Sequence, residues 1–482
     1  MKRALLTATL LLALPALAGP APKPLPPSFK AGRLGRVQVY RPEGAPTSAA
    51  VLLVDHAGDK GGEGAALGEA LARGGTLVLE ADARAYVASV KKDGHCVYPA
   101  GDVEVLAQAA QKQLELPEYL HPVVVGMGQE GAGLAYASLA QAPPGAFRGA
   151  LSVGFLPRLA LARGLCVGSG LVRERTADGT HELLRPAHRL PAPWRVLPRA
   201  APDAPLEDFV SAVPGARLLA PVSGPLPEAA SAALAALLHD TEAAAAAPPP
   251  VVTPPAPGAP AQAGAPLAPV DGLPLVLAPA AHPTGDALVL LVSGDGGWAG
   301  IDRELAQAFN AQGFNVLGWD SLRYFWRKRS PEEAADAMGR ALAHYAQAWG
   351  AKRLVLVGYS RGADVLPGIT ARLPPAMRAR VALLALLGPG QEAEYEVHVM
   401  DLLGASGRDV HPILPELARL PATTPVLCVY GDEEKADSLC PLLQGRAGAS
   451  VTELPGGHHF EGDYATVARH VLGAARGGVH DL

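Results

Sequence analysis

The stretch VLVGYSRGAD, Val355 to Asp364, is the one on which the fold turns. It passes from an apolar β-branched run, through Gly358-Tyr359-Ser360-Arg361-Gly362, into residues suited to open a helix. A serine between glycines at a strand-to-helix turn exposes its hydroxyl at the edge of a parallel sheet. The same five residues also suit an ordinary tight loop, so the partners of the serine must decide. A hydroxyl becomes a nucleophile when a base lies within hydrogen-bond reach, an acid orients the base, and donors await the oxyanion.

Those partners arrive later in the chain, in the order acid then histidine. The apolar run TPVLCVYGD ends at Asp432, and VTELPGGHHF brings His458 and His459 after a further run and two glycines. Ser360 is therefore expected as nucleophile, Asp432 as orienting acid and His458 as base. Glu433 and Glu434 are rival carboxylates, and His459 is a rival imidazole. His458 is preferred because it directly follows Gly456-Gly457, which suits a loop projecting into a site. Asp364 reads as a charge partner of the helix N-terminus. The oxyanion donors are expected from the backbone N–H of Arg361 and from Asp295 or Gly296 in the glycine-rich loop SGDGGW, Ser293 to Trp298.

The 482-residue chain is too long for one ordinary domain. Between Thr241 and Pro269 the composition collapses into alanine and proline, with almost no charge and no aromatic residue. Such a segment buries no core and reads as an extended linker. The flanking halves parallel each other: AAVLLVDHAGDKGGEG (from Ala49) matches ALVLLVSGDGGWAG (from Ala287), and PVVVGMGQEGAG matches RLVLVGYSRGAD. Apolar runs alternating with helical periods argue for βαβ units and mainly parallel sheets in both. Where the second half has Ser360 the first has Gly128, and only Asp203, with no histidine, stands at its later positions. The expected fold class is thus α/β: two tandem α/β-hydrolase-like domains with mainly parallel sheets, the first degenerate. The expected divisions are 1–18 signal peptide, 30–240 degenerate domain, 241–270 linker and 271–482 catalytic domain.

The signal peptide reading rests on Lys2 and Arg3, an apolar run, and Ala16-Leu17-Ala18 as cleavage signal. No later apolar stretch of about twenty residues appears. In an oxidising compartment four cysteines favour disulfides, and two lie in each half, suggesting Cys96–Cys166 and Cys428–Cys440. Four buried free thiols are the alternative. The formal charge of −5 gives no global attraction to nucleic acid. No cofactor and no metal is expected.

Aromatics make up only 5% of the chain, yet Trp319, Tyr324, Phe325 and Trp326 fall together, interleaved with Arg323, Arg327, Lys328 and Arg329. The segment is either a packed loop with a solvated basic rim or a surface for an amphipathic anionic ligand. On the second reading Trp298, Arg323, Tyr324 and Trp326 are candidate substrate-binding residues.

The segments LVSGDGGW, GWDSLRYFWRKRSPE, VLVGYSRGADVLP and LPGGHHFEGDY resemble the AcvB/VirJ family of bacterial periplasmic proteins, most densely in the C-terminal half. The resemblance implies an α/β-hydrolase fold, a periplasmic location and a link to virulence. It also implies a serine esterase that hydrolyses the aminoacyl ester of aminoacyl-phosphatidylglycerol, lysyl or alanyl. By motif, Ser360, Asp432 and His458 take the triad roles. The implied partner is an anionic aminoacylated phospholipid at the membrane surface, with envelope proteins as further candidates. Two other readings stand beside it: a non-catalytic binding protein of an envelope or secretion complex, and a general small-ester hydrolase.

Overall fold

The computed structural model describes residues 27–56, 62–91, 96–168, 170–246, 269–284, 286–298, 300–397 and 409–477. The expected signal peptide, 1–18, and residues 247–268 of the expected linker lie outside the described residues.

In the first half the strands are β1 (Ser28–Lys30), β2 (Arg36–Tyr40), β3 (Ser48–Val54), β4 (Thr76–Asp82), β5 (Val123–Met127), β6 (Gly149–Val153), β7 (Arg158–Leu159), β8 (Val172–Arg175), β9 (Glu182–Arg185), β10 (Trp194–Leu197) and β11 (Ala216–Leu218). Among the described residues eight of them form one sheet in the order β1-β2-β4-β3-β5-β6-β10-β11, while β7, β9 and β8 make a small antiparallel sheet beside it. In the second half the strands are β12 (Leu275–Ala278), β13 (Ala287–Val292), β14 (Asn315–Trp319), β15 (Arg353–Tyr359), β16 (Val381–Leu387), β17 (Glu392–Glu394), β18 (Val410–Pro412), β19 (Val426–Gly431) and β20 (Ala449–Leu454). Seven form a sheet in the order β12-β14-β13-β15-β16-β19-β20.

With the edge strand β1 set aside, the two orders follow the same path. Strand β12 pairs antiparallel with β14 as β2 does with β4, and every later pairing in both large sheets is parallel. This is the α/β-hydrolase arrangement, present twice. Central strands β3 and β13 are buried along their whole length, as parallel strands covered on both faces must be, and this explains their unbroken Val/Leu/Ala runs. In the second half helices Gly300–Ala311 and Tyr464–Gly477 cover one face, and Pro331–Ala348 and Arg361–Arg372 the other. The start of Pro331–Ala348 is written locally. Ser330 and Glu333 form a reciprocal capping box, with Pro331 as first helical residue.

Two features depart from the sequence expectation. Helix Leu226–Ala246 continues through Thr241, because the alanine run that thins the composition is also the best helix former. The expected linker boundary at 241 is therefore not a break in structure. The aromatic cluster is not a surface: Trp319, Tyr324, Phe325 and Trp326 are all buried. Asp320 caps the short helix Ser321–Tyr324 by accepting from the Arg323 N–H, and that turn sends the rings inward and Arg323, Arg327 and Lys328 outward.

Trp326 meets the first half. Its Nε1–H donates to the Leu116 carbonyl at 2.9 Å, its ring lies 5.1 Å from that of Tyr119, and Lys112 stands over it at 5.0 Å. Tyr119, although in the first half, belongs to the hydrophobic core of the second. We expect Trp326→Ala to lower the stability of the folded chain by about 3–5 kcal/mol, read as a fall in the urea unfolding midpoint.

Candidate active site

The site is built at the C-terminal ends of β13, β15, β16 and β19. Ser360 has φ 52° and ψ −122°, a conformation that L-residues adopt only under constraint, at about 1–3 kcal/mol. The constraint is close packing. A Cβ on Gly358 would lie 2.3 Å from the Gly362 carbonyl oxygen, and one on Gly362 would lie 2.1 Å from that of Val292. Both glycines are therefore required for the helix to start so near the sheet. The Ser360 N–H donates to the Leu387 carbonyl at 2.8 Å, and the Asp364 N–H to the Ser360 carbonyl at 3.0 Å, which locks the turn.

His458 packs on the far side of the turn after β16. A Cβ on Gly388 (φ +60°) would lie 3.0 Å from its Cε1, and its ring centroid is 5.2 Å from that of Tyr359. Its Nδ1 is 2.7 Å from Glu434 Oε1. The carboxylate facing the histidine is thus Glu434, which corrects the expectation of Asp432. Asp432 is exposed and its Oδ1 accepts from the Gly456 N–H at 3.0 Å, so it ties down the loop that carries the histidine. The physical reason is the short 3-10 helix Asp432–Glu434. It advances the chain by two residues before a side chain points toward Gly388. His459 is exposed, with Nδ1 3.1 Å from the Tyr359 hydroxyl, a contact that holds the loop.

A family model described as "Bacterial virulence protein (VirJ)" matches residues 286–478. The match lies wholly within the second half. No curated protein matches the chain. Solved structures similar to it include proline iminopeptidase from Mycobacterium smegmatis (15% identity, 42% of this chain and 95% of that one, TM-score 0.32). Another is Est1E from Butyrivibrio proteoclasticus with ferulic acid bound (15%, 45% and 99%, 0.31). A third is the thioesterase domain of the curacin biosynthetic pathway (18%, 41% and 94%, 0.29).

In the second half the loop Ser293–Trp298 sits against the elbow: a Cβ on Gly294 would be 3.4 Å from Ser360 Cβ. Ser293 pins this loop to the next strand's exit, accepting from the Ser321 N–H at 2.9 Å through Oγ and from the Ser321 hydroxyl at 2.6 Å through its carbonyl. Asp295 is exposed at the tip, and Gly296 has open space around it. Arg361 begins the nucleophile helix, where backbone N–H groups lack intrahelical acceptors. Its guanidinium donates to the Glu394 and Glu396 carbonyls, both at 2.9 Å. Glu396 in turn pairs with Lys112 of the first half at 2.9 Å, so the first half braces the segment that holds the elbow arginine. Trp298 serves packing. Its ring lies over Gly318, where a Cβ would be 2.5 Å away, and its carbonyl faces Gly145 of the first half.

Asp364 accepts from the Gly390 N–H at 2.8 Å. Burial pushes its carboxyl up to about 7, with the charge of Asp295 adding to the rise. Its native form holds a proton more tightly than the unfolded chain does. Stability is therefore fullest below the ordinary aspartate range and falls as pH rises from about 4 to about 7. Asp364→Asn, which keeps an acceptor for Gly390, is expected to match the wild type at pH 4. At pH 8 it should exceed the wild type by on the order of 1–3 kcal/mol after allowing for partial contact with water, measured by urea unfolding.

The corresponding turn of the first half carries no hydroxyl and is built around Asp55. Leu53 pairs with Gly126 as Val292 pairs with Gly358, so Asp55 occupies the place of Gly294. The Asp55 carboxylate accepts from the Gln129 N–H at 3.0 Å and the Gly131 N–H at 2.9 Å. A Cβ on Gly128 (φ +88°) would lie 2.5 Å from its Cγ. The chain thus fills its own anion site where a nucleophile would stand. Asp203 is a helix cap, accepting from the Leu206 N–H at 3.0 Å. The structure contains disulfides Cys96–Cys166 and Cys428–Cys440.

Proposed function

We propose that the protein is an exported serine esterase acting on the aminoacyl ester of aminoacyl-phosphatidylglycerol, lysyl or alanyl, to give free amino acid and phosphatidylglycerol. The observation that carries the esterase reading is the strained Ser360 elbow together with a histidine packed on the neighbouring Gly388 turn and held by a carboxylate, His458 to Glu434 at 2.7 Å. The disulfides favour an oxidising compartment, in keeping with a periplasmic location. The choice of lipid ester rests on the family resemblance.

In this reading His458 takes the proton of Ser360 Oγ as the oxygen attacks the ester carbonyl. Glu434 fixes the imidazole tautomer and balances its charge. The N–H groups of Arg361 and of Asp295 or Gly296 receive the oxyanion. Collapse expels the glycerol oxygen of phosphatidylglycerol, protonated by His458, and leaves an aminoacyl-serine. Water, deprotonated by the same histidine, then releases the amino acid.

The test is thin-layer analysis of vesicles carrying lysyl- or alanyl-phosphatidylglycerol incubated with purified protein. Appearance of phosphatidylglycerol and free amino acid is expected. Failure to cleave either lipid while short acyl esters are cut rapidly would establish the small-ester reading in its place.

A further inference from the structure

An open cleft of about 470 Å³ lies beside the segment that follows β14, lined mainly by the second half with Pro117 and Glu118 of the first at its side. Arg323, Arg327, Arg329 and Arg340 of the second half line it, and Glu118 reaches it from the first. Arg340 is matched by Asp336 at 3.2 Å. The other three arginines have no carboxylate within ion-pair distance among the described residues. Arg323 and Arg327 are exposed. Arg329 lies over the Tyr324 ring, 5.1 Å from its centroid, and its Nε is buried without a hydrogen-bond partner.

Unpaired guanidinium groups gathered on one concave surface are suited to an anion with several acceptor oxygens, and their planar forks match phosphate geometry. The volume is in the range of small-molecule sites, so it admits a phosphate together with an organic substituent. Of the acidic lining groups, Asp336 is taken by Arg340, and Glu333 is engaged by the Ser330 N–H at 2.8 Å. Glu118 and Asp271 remain, both exposed, and their charge opposes an anion.

We propose that this cavity binds a phosphate group, as mono- or diester, through Arg323, Arg327 and Arg329. The three arginines all belong to the second half, with Pro117 and Glu118 of the first half beside them, and the site stands apart from the esterase reading. It also gives the aromatic-basic segment its division of labour, the rings packing the junction and the arginines facing the cavity.

Binding is measured with the full mature chain carrying Ser360→Ala, so that turnover plays no part. Equilibrium dialysis with inorganic phosphate and glycerol 3-phosphate tests the soluble source, and flotation with phosphatidylglycerol against phosphatidylcholine vesicles tests the lipid source. In at least one arm, binding is expected to fall about tenfold or more in Arg323→Gln/Arg327→Gln and to tighten in Glu118→Gln/Asp271→Asn. A folding defect cannot mimic that opposite response. Arg73→Gln/Arg217→Gln, which removes two exposed charges elsewhere, should leave binding unchanged. Retention of binding in the Arg323/Arg327 pair, an equal loss in the control pair, or no binding in either arm would overturn the proposal.

Discussion

Ser360→Ala is expected to lower kcat for hydrolysis of aminoacyl-phosphatidylglycerol by about 10⁴- to 10⁶-fold while the chain stays folded. The size of the loss follows from removing the only atom that forms the covalent intermediate. Binding and oxyanion donors alone leave a small residue of activity. Ser360→Gly sharpens the test, because glycine adopts φ 52° without strain. That variant should be equally inactive yet more stable, by about 1–2 kcal/mol, in urea unfolding. Loss of activity joined to a gain of stability is what a strained nucleophile predicts. If Ser360→Ala turned over the lipid at the wild-type rate, the esterase assignment would fail. The first half already carries the relaxed form of this turn, Gly128 at φ +88°.

The second large effect separates two neighbouring carboxylates. Glu434→Gln is expected to reduce kcat by about 10⁴-fold, since an amide partner favours the wrong imidazole tautomer. Asp432→Asn should leave kcat within about tenfold and lower stability by roughly 0.5–1.5 kcal/mol, through its weakened bond to the Gly456 N–H. Steady-state kinetics on both variants decide the matter. A collapse of kcat in Asp432→Asn with Glu434→Gln near wild type would restore the assignment made from sequence.

Much of the candidate site was legible in one dimension because close packing leaves glycines behind. Gly358 and Gly362 flank Ser360 at fixed spacing, and the histidine loop announces itself with Gly456-Gly457. Strand runs such as Val289–Val292 declare burial on both faces, and the repeat of that grammar revealed the duplication. The acid was harder. Three consecutive acidic residues, Asp432 to Glu434, differ only in where a short 3-10 turn aims them, and a rule based on position after a strand selects the first.

The sequence by itself determined the α/β class and the two halves, and it pointed to Ser360 as the candidate nucleophile and suggested a cysteine pair in each half. Each of these depends on local spacing or composition. Only the tertiary structure decided the partner of His458, the burial of Trp326 against Tyr119, and the self-filled elbow in which Asp55 caps the Gln129 and Gly131 amides. Those contacts join residues far apart in the chain. A carboxylate, a ring or a guanidinium acquires its role from what the fold brings beside it, and the residue's own neighbours in sequence do not record that.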